Sequence, residues 1–426
     1  MPALQSSRPN LTTALKDSGR SSTAGAGSQR VRNLLVVAEV ALAVVLLVGA
    51  GLFIGSFAKL MSVEPGFEYR NILVLDVSVR ADPTLKGPAV WEDMNKRSGP
   101  YVEQMLAAVR TVPGVEAAAA VQGGLPLTGN WSRTSVELPG RGELEGDDDS
   151  IDRRVVSAGY LETMRIPLRR GRYLNENDRG GSDPVMVIND AAAKKYWPGE
   201  DAIGKRATLN KKELVVVGIV GDIRHLGPEI PPRQECYVPA SQDGYFGGAS
   251  LVMRTTGDAI DRLDAAKAAI WSVNKEQRLR TETVTLEGYM DRLIAQRRFN
   301  MALLAAFGVL GLVIAGAGIY GVMAYVVAQR TNEIGVRMAL GATRQHVVSM
   351  VLVRASILMG TGIVIGAAVA WWFSAGVKTF LFGVEPNDPI IFAVALVTLA
   401  AAGLLASAIP ARRAASVDPM IALRQE

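Results

Sequence analysis

Two short patterns in the sequence could carry chemistry. The first is GEDAIGK (199–205), which fits the G-x-x-x-x-G-K pattern of a phosphate-binding loop. That loop needs Ser or Thr at the next position to bind Mg²⁺ and a strand before it. Here Arg206 follows, and the preceding AAAKKYWP is typical of a helix that ends at a proline. We therefore interpret residues 199–205 as a turn after a helix.

The second pattern is the acidic stretch PGRGELEGDDDSIDR (139–153). Its three adjacent aspartates could bind a cation, but an unpaired acidic loop is more often simply solvated. The single cysteine, Cys236, excludes an intramolecular disulfide and a multi-cysteine metal site. His225 and His346 lie far apart in the sequence, which disfavours a histidine metal centre or a histidine-based triad. Without a G-x-S-x-G or H-E-x-x-H motif, the sequence indicates no enzyme.

The apolar residues, 49% of the 426-residue chain, are concentrated near the N-terminus and in the last third. A membrane span needs about 20 mostly apolar residues. The sequence therefore predicts an α-helical membrane protein with four transmembrane helices and a large extracytoplasmic mixed α/β domain inserted between helices 1 and 2. The predicted spans are 33–58, 299–328, 350–377 and 390–410; the inserted domain is 59–298, and a short outer loop covers 378–389. Within the domain we expect strands at 72–80, 213–222 and 250–255, and helices at 99–111, 189–197 and 258–273.

Lys and Arg near the span ends predict the orientation. They place the leader 1–32, the loop 329–349 and the tail 411–426 in the cytoplasm, whereas Arg297 and Arg298 on the outer side run against the rule. The net charge is +5, but the Lys and Arg residues do not form a basic stripe interleaved with aromatic residues. We therefore expect a membrane partner and no nucleic acid.

Small residues recur four positions apart within the spans, which lets helix backbones approach closely in lipid. The pairs are Gly51 with Gly55, Gly362 with Gly366, and Ala317 with Gly321. Glycine is also simply common in membrane helices, so a single pair is equally well explained by composition. Glu39 is charged and lies inside span one. We interpret it as a side chain that reaches the interface or forms an interhelical bond, rather than as a proton relay.

The segment AQRTNEIGVRMALGATRQHVV (328–348) predicts a short amphipathic cytoplasmic helix. Thr331 or Asn332 would cap its start, and Glu333 and Arg337 are spaced for an i,i+4 ion pair. Ile334 and Met338 would share a face, with Val336 and Leu340 beside it. Gly341 would end the helix and Thr343 would cap the next one. Such a helix either receives a soluble partner or rests on lipid, and its residues alone leave both alternatives open.

Residues 318–348, GIYGVMAYVVAQRTNEIGVRMALGATRQHVV, strongly resemble the signature of FtsX-like ABC-transporter permeases, and ARRAASVDPMIALRQE (411–426) resembles that family's C-terminal end. YLETMRIPLRRGRYL, VMVINDAAAKKYWPGEDAIGKR and VVGIVGDIRHLG resemble the periplasmic core domain of MacB-type permeases. The resemblance implies that a separate ABC ATPase, which binds the ATP and Mg²⁺, docks on the coupling helix after span two. Carried onto this chain, that helix comprises Glu333, Ile334, Gly335, Val336, Arg337, Met338, Ala339, Leu340, Gly341 and Ala342.

The resemblance also implies a bacterial inner-membrane permease with both termini cytoplasmic, no cofactor of its own, and a second permease unit as partner. Its role would be export or mechanotransmission to the periplasm, together with a periplasmic adaptor or effector. The alternative is a membrane-anchored periplasmic receptor or scaffold without ATP coupling. Residues 2–16 resemble residues 410–424 at a constant offset, with a Ser- and Gly-rich linker at Ser18–Ser28. We therefore expect the chain to be the C-terminal half of a duplicated permease, whose partner is either a non-identical first half or a second copy.

Overall fold

The computed structural model describes residues 24–140, 150–279, 284–340 and 342–416, the side chains of residues 24–28 and of Asn332 excepted. The chain separates into two compact units. Residues 60–296 form the inserted unit, and the chain segments on either side of it form the membrane unit. Several sequence-based expectations fall outside the described residues: the N-terminal side of the terminal match, the first part of its linker (18–23), the three aspartates of the acidic stretch, and Gly341. The last part of that linker, residues 24–28, is helical.

The described helices and strands are numbered in chain order. The helices are α1 (Ala24–Met61), α2 (Pro88–Arg110), α3 (Tyr160–Thr163), α4 (Asp190–Tyr196), α5 (Ala240–Asp243), α6 (Leu263–Val273), α7 (Leu286–Gln329), α8 (Thr331–Ala339), α9 (Arg344–Ser374) and α10 (Pro389–Ala415). The strands are β1 (Ile72–Ser78), β2 (Val115–Gln122), β3 (Arg133–Glu137), β4 (Ser150–Val156), β5 (Leu168–Gly171), β6 (Val185–Asn189), β7 (Arg206–Leu209), β8 (Lys212–Val220), β9 (Glu235–Pro239) and β10 (Gly248–Thr255). Short 3₁₀ helices cover Ala259–Arg262 and Ala375–Phe380.

The strands of the inserted unit form one continuous sheet with a closed part. Strands β1, β10, β2 and β4 pair antiparallel in that order. From β4 the path continues through β3, β7, β8 and β6 to β9, and β9 returns to pair with β4 in parallel. These six strands close into a ring, so β4 joins the open and the closed parts of the sheet. The predicted strands correspond to β1, β8 and β10, and the predicted helices to α2, α4 and α6 with its preceding 3₁₀ turn.

Helix α2 covers the open part of the sheet with one apolar stripe. Val102, Met105, Leu106 and Val109 follow helical spacing and are fully buried. They belong to the same core cluster as inward-facing residues of β1, β2 and β10. Burial of this stripe fixes which side of α2 faces solvent.

The membrane unit confirms the predicted fold class. Among the described residues, four helices are long and apolar enough to cross a membrane: Gln29–Met61, Leu286–Gln329, Arg344–Phe380 and Pro389–Ala415. The fourth helix continues past the predicted end at residue 410, although Pro410 lacks a backbone N–H. Ala411 and Ala414 are fully buried in the helical cluster, and this packing carries the helix through to Ala415.

Each spanning helix buries one stripe in the centre of the membrane unit. The buried stripes include Val40 and Val44 of α1, Ala315 and Ile319 of α7, Val351 and Ala355 of α9, and Ala395 and Leu399 of α10. The opposite faces carry exposed Leu, Ile, Val and Phe side chains, as expected for helices that face lipid.

Candidate functional site

The candidate site is helix α8, which connects α7 to α9. The sequence predicted that Thr331 or Asn332 caps its start, and this is wrong: the N-cap is Arg330, with no side-chain cap. Helix α7 ends only at Gln329, so the chain has no extended segment before α8 in which Thr331 could act as a cap. The Thr331 hydroxyl instead donates to the carbonyls of Val327 and Ala328, both at 3.0 Å.

Charged side chains line one edge of α8. Glu333 and Arg337 form the predicted i,i+4 ion pair, and Arg330 lies 3.9 Å from the same carboxylate. Arg337 also directs Nη1 at the Met350 sulfur of α9, 3.5 Å away. These side chains are about half exposed, so the pair contributes little to stability but fixes the charge pattern of this edge.

The apolar residues of α8 divide between two faces, and this corrects the sequence-based assignment. Ile334 and Gly335 are buried, and Met338 packs against the membrane cluster that contains Val347 and Val351. Successive residues turn by about 100°, so Val336 lies about 200° from Ile334, on the opposite side of the helix and not beside that face as expected. The outward face carries three apolar residues: Val336 (43% exposed), Ala339 and Leu340 (82% exposed).

The described residues at the end of α8 and at the start of α9 make local hydrogen bonds. The helix ends at Ala339 with Leu340 as its C-cap, so Leu340 and Ala342 lie after the helical turns. The Ala342 N–H donates to the Arg337 carbonyl at 2.9 Å. Thr343 caps α9 by accepting a hydrogen bond from the His346 N–H, as the sequence predicted. Helix α8 is thus held at both ends by spanning helices.

The four-residue glycine pairs differ in their surroundings. A methyl group on Gly51 would lie 2.7 Å from Ile391 Cγ2, and one on Gly55 would lie 3.3 Å from Ile391 Cδ1, so this pair faces α10. Gly362 and Gly366 face α1, where a methyl group would meet Val40 and Ala41 within 2.8 Å. Gly321 has no atom of the described residues within 4 Å of that position, so among these residues the pair with Ala317 makes no close helix contact at Gly321.

Glu39 lies where α1 meets α7, against Gly318. Its Oε2 atom is buried and makes no hydrogen bond to a residue that the structure describes. The expected interhelical hydrogen bond is therefore not formed by this oxygen. Gly318, which has no side chain, leaves the space that the carboxylate occupies.

Hydrogen bonds connect the loop between α9 and α10 with α1 and α7. The Phe382 N–H donates to Ser56 Oγ at 2.7 Å, and Lys59 donates to the Gly383 carbonyl. Arg297, which runs against the charge rule, donates to the Phe380 carbonyl at 3.3 Å. The sequence did not predict these hydrogen bonds, because Lys59 and Arg297 donate to backbone carbonyls, which any residue type provides.

The phosphate-loop-like segment is a turn between α4 and β7, as interpreted from sequence. Lys205 pairs with Glu200 at 2.8 Å, and Asp201 pairs with Arg170. The lysine that would bind a phosphate is thus engaged by a neighbouring carboxylate.

Comparisons with known proteins match two families to successive parts of the chain. The MacB-like periplasmic core domain family matches residues 34–272, and the FtsX-like permease C-terminal family matches residues 305–419. The macrolide export ATP-binding/permease protein MacB of Aggregatibacter actinomycetemcomitans is 28% identical over 248 residues, which are 57% of this chain and 36% of that protein. The protein of the same name from Bradyrhizobium diazoefficiens is 29% identical over 280 residues, or 64% and 43% of the two chains.

The crystal structure of the periplasmic region of MacB from Actinobacillus actinomycetemcomitans is 16% identical, with a TM-score of 0.36, over 52% of this chain and 92% of that one. This chain spans less than half the length of the curated relatives described above. The core-domain family alone covers more than half of the chain, and the permease family covers most of its last third. The chain therefore belongs to the FtsX-like ABC-transporter permeases with a MacB-like periplasmic core domain.

Proposed function

We propose that this chain is the permease subunit of a MacB/FtsX-type ABC transporter, and that it transmits the ATP-driven motion of a separate ATPase to its periplasmic domain. The observation that carries the proposal is the two-sided packing of α8. Ile334 and Met338 fasten the helix to the spanning helices, while Val336 and Leu340 leave an apolar face open. Because α8 is tied to α7 and α9, a subunit that binds this face would move both spans together.

The family membership supports the remaining parts of the proposal. ATP and Mg²⁺ would be bound by the partner ATPase, and a second permease unit, either identical or a non-identical first half, would complete the assembly. A periplasmic adaptor or effector would receive the motion. We place the protein in the bacterial inner membrane, with both termini in the cytoplasm.

Co-purification tests the docking face. The chain is co-expressed with ABC ATPases of the same genome, and retained ATPase is measured per permease after detergent extraction. We expect Val336→Lys and Leu340→Lys to abolish retention and the stimulation of ATP hydrolysis, because a cation replaces the apolar contact. A lysine near a helix C-terminus is compatible with the helix dipole, so α8 itself should persist.

Gln345→Lys is the matched control, since Gln345 is exposed in the first turn of the following helix. We expect it to retain the ATPase. Equal retention by all three variants would contradict docking on α8 and would favour a membrane-anchored receptor or scaffold without ATP coupling.

A further inference from the structure

Positive charge flanks the apolar spans on the side of the inserted unit. Counting outward from the apolar run of each span, the first charged residue is Lys59 in α1, Arg298 in α7 and Lys378 after α9. Only α10 has a carboxylate at this position, Asp388, which caps that helix by accepting hydrogen bonds from two backbone N–H groups. Lysine and arginine normally concentrate at the cytoplasmic ends of spans, so three cations on the outer side are unusual.

The loop between α9 and α10 brings these cations together. Lys59 of α1 donates to the Gly383 carbonyl, and Arg297 of α7 donates to the Phe380 carbonyl at 3.3 Å. Because the two acceptors are three residues apart, cations from α1 and α7 meet at one short stretch of the loop. Lys378 lies two residues before the first of these acceptors and is exposed. Four residues form what we call the outer cationic cluster: Lys59, Arg297, Arg298 and Lys378.

The carboxylates near the cluster lie farther along the chain from the apolar runs. The loop contains one carboxylate besides Asp388, that of the exposed Glu385. Glu64 lies five residues beyond Lys59. Asp291 lies six residues before the first arginine of α7, which on a helix is about 9 Å farther from the apolar run. The charge at the edge of the spans is therefore predominantly positive.

Exposed aromatic side chains accompany the outer cationic cluster. Phe299 follows Arg298 on α7 and is 63% exposed, and Phe380 of the loop is 61% exposed. The last turn of α9 adds three further exposed rings, those of Trp371, Trp372 and Phe373. Aromatic rings concentrate where a membrane helix meets the lipid headgroups, so their positions place the cluster at headgroup level. Phospholipid phosphates occupy this level, and basic side chains beside spanning helices attract them.

We propose that the outer cationic cluster binds the headgroup of an anionic phospholipid in the leaflet on the side of the inserted unit, with the acyl chains against the exposed aromatic rings. A soluble anion would match the charge but not the apolar surface that adjoins it. The inference concerns the membrane unit alone and does not depend on docking of an ATPase.

Tryptophan quenching by brominated lipids tests the proposal. The full chain is reconstituted in phosphatidylcholine vesicles that contain brominated phosphatidylglycerol or an equal fraction of brominated phosphatidylcholine, with bromine near the headgroup end of the acyl chains. Trp371 and Trp372 report the contact, because the other four tryptophans belong to the inserted unit. We expect an affinity for phosphatidylglycerol about tenfold above that for phosphatidylcholine. This preference should fall when NaCl is raised from about 0.05 to about 0.5 M.

The double variant R298Q/K378Q removes two charges of the cluster but keeps the two residues that hold the loop. We expect it to lower the preference for phosphatidylglycerol about fivefold or more, whereas the charge-conserving R298K/K378R should retain the preference. R412Q is the matched control, because it removes an exposed cation at the opposite end of the spans. It should leave the quenching of Trp371 and Trp372 unchanged.

Unfolding temperatures establish that each variant is folded, and if the double variant unfolds, K378Q alone should still lower the preference about twofold or more. Sodium phosphate at the ionic strength of the NaCl series should weaken the preference no more than NaCl does. A stronger effect of phosphate would assign the cluster to a soluble anion. That outcome, equal quenching by the two brominated lipids, or an unchanged preference in the glutamine variants would each overturn the proposal.

Discussion

Arg154 of β4 and Glu235 of β9 form an ion pair at 2.9 Å in which both side chains are fully buried. The pair lies where β4 and β9 run parallel and close the six-stranded ring. Arg154 also donates to the carbonyls of Gly123 and Gly124, and the Tyr237 hydroxyl donates to Glu235 at 2.7 Å. This network joins the closed part of the sheet to the loop after β2, so it fastens both parts of the inserted unit.

The first prediction concerns removal of one charge from this pair. Glu235→Gln leaves the Arg154 guanidinium buried without a counter-charge, and we expect it to destabilise the inserted unit by about 3–5 kcal/mol. Arg80 and Glu276 provide the control, because their 3.4 Å pair is exposed by 90% and 81%. Glu276→Gln should change stability by only about 0–1 kcal/mol. Denaturant unfolding followed by tryptophan fluorescence measures both, and equal effects would contradict a structural role for the buried pair.

The second prediction is a pH dependence that comes from His225. Its Nε2–H donates to the Asn130 carbonyl at 2.8 Å, and Nδ1 lies 3.9 Å from Glu235. Burial, together with the Arg154 charge, lowers the pKa of His225 from 6.5 to about 4, although Glu235 opposes this shift. The unfolded chain therefore binds a proton at a higher pH than the folded chain does. The free energy of unfolding should fall as the pH drops from about 6.5 to about 4, by roughly 3 kcal/mol at most.

His225→Gln tests this origin, because glutamine keeps an N–H donor but does not titrate in this range. The unfolding midpoints of both proteins are measured from about pH 8 to about pH 4, a range that includes both the ordinary and the lowered pKa of His225. The variant should lose part of the acid destabilisation while differing from the parent by a constant amount above pH 7. Parallel curves over the whole range would show that other groups account for the pH dependence.

The sequence predicted those features that depend on local composition or spacing. The four spans follow from apolar runs long enough to satisfy the backbone within lipid, and the Glu333–Arg337 pair follows from i,i+4 spacing. The placement of Val336 and Leu340 beside the face of Ile334 and Met338 is wrong, because a rotation of about 100° per residue carries both to the opposite side of the helix. The parallel pairing of β4 with β9 depends on segments far apart in the chain, so Arg154 and Glu235 gave no signal of their contact.

The third prediction concerns the fastening of the outer loop. Ser56 is almost fully buried, and Ser56→Ala removes the acceptor of the Phe382 N–H. We expect a loss of about 1–3 kcal/mol from an unpaired donor. Thr398→Ala is the control, because the Thr398 hydroxyl donates only to Val394 of its own helix. Thermal unfolding in detergent compares the two, and a larger effect of Thr398→Ala would contradict the role assigned to Ser56.

The fourth prediction concerns the contact between α1 and α9 at Gly362. A methyl group there would lie 2.6 Å from Val40 Cγ1 and 3.0 Å from the Val37 carbonyl oxygen, so Gly362→Ala forces the two helices apart. We expect a loss of about 1–3 kcal/mol from overpacking, measured as unfolding in detergent. Gly360 lies on the same helix with nothing within 4 Å of the added methyl position. Gly360→Ala should therefore be neutral or slightly stabilising through helix propensity. Equal stability of the two variants would contradict a close contact between α1 and α9 at Gly362.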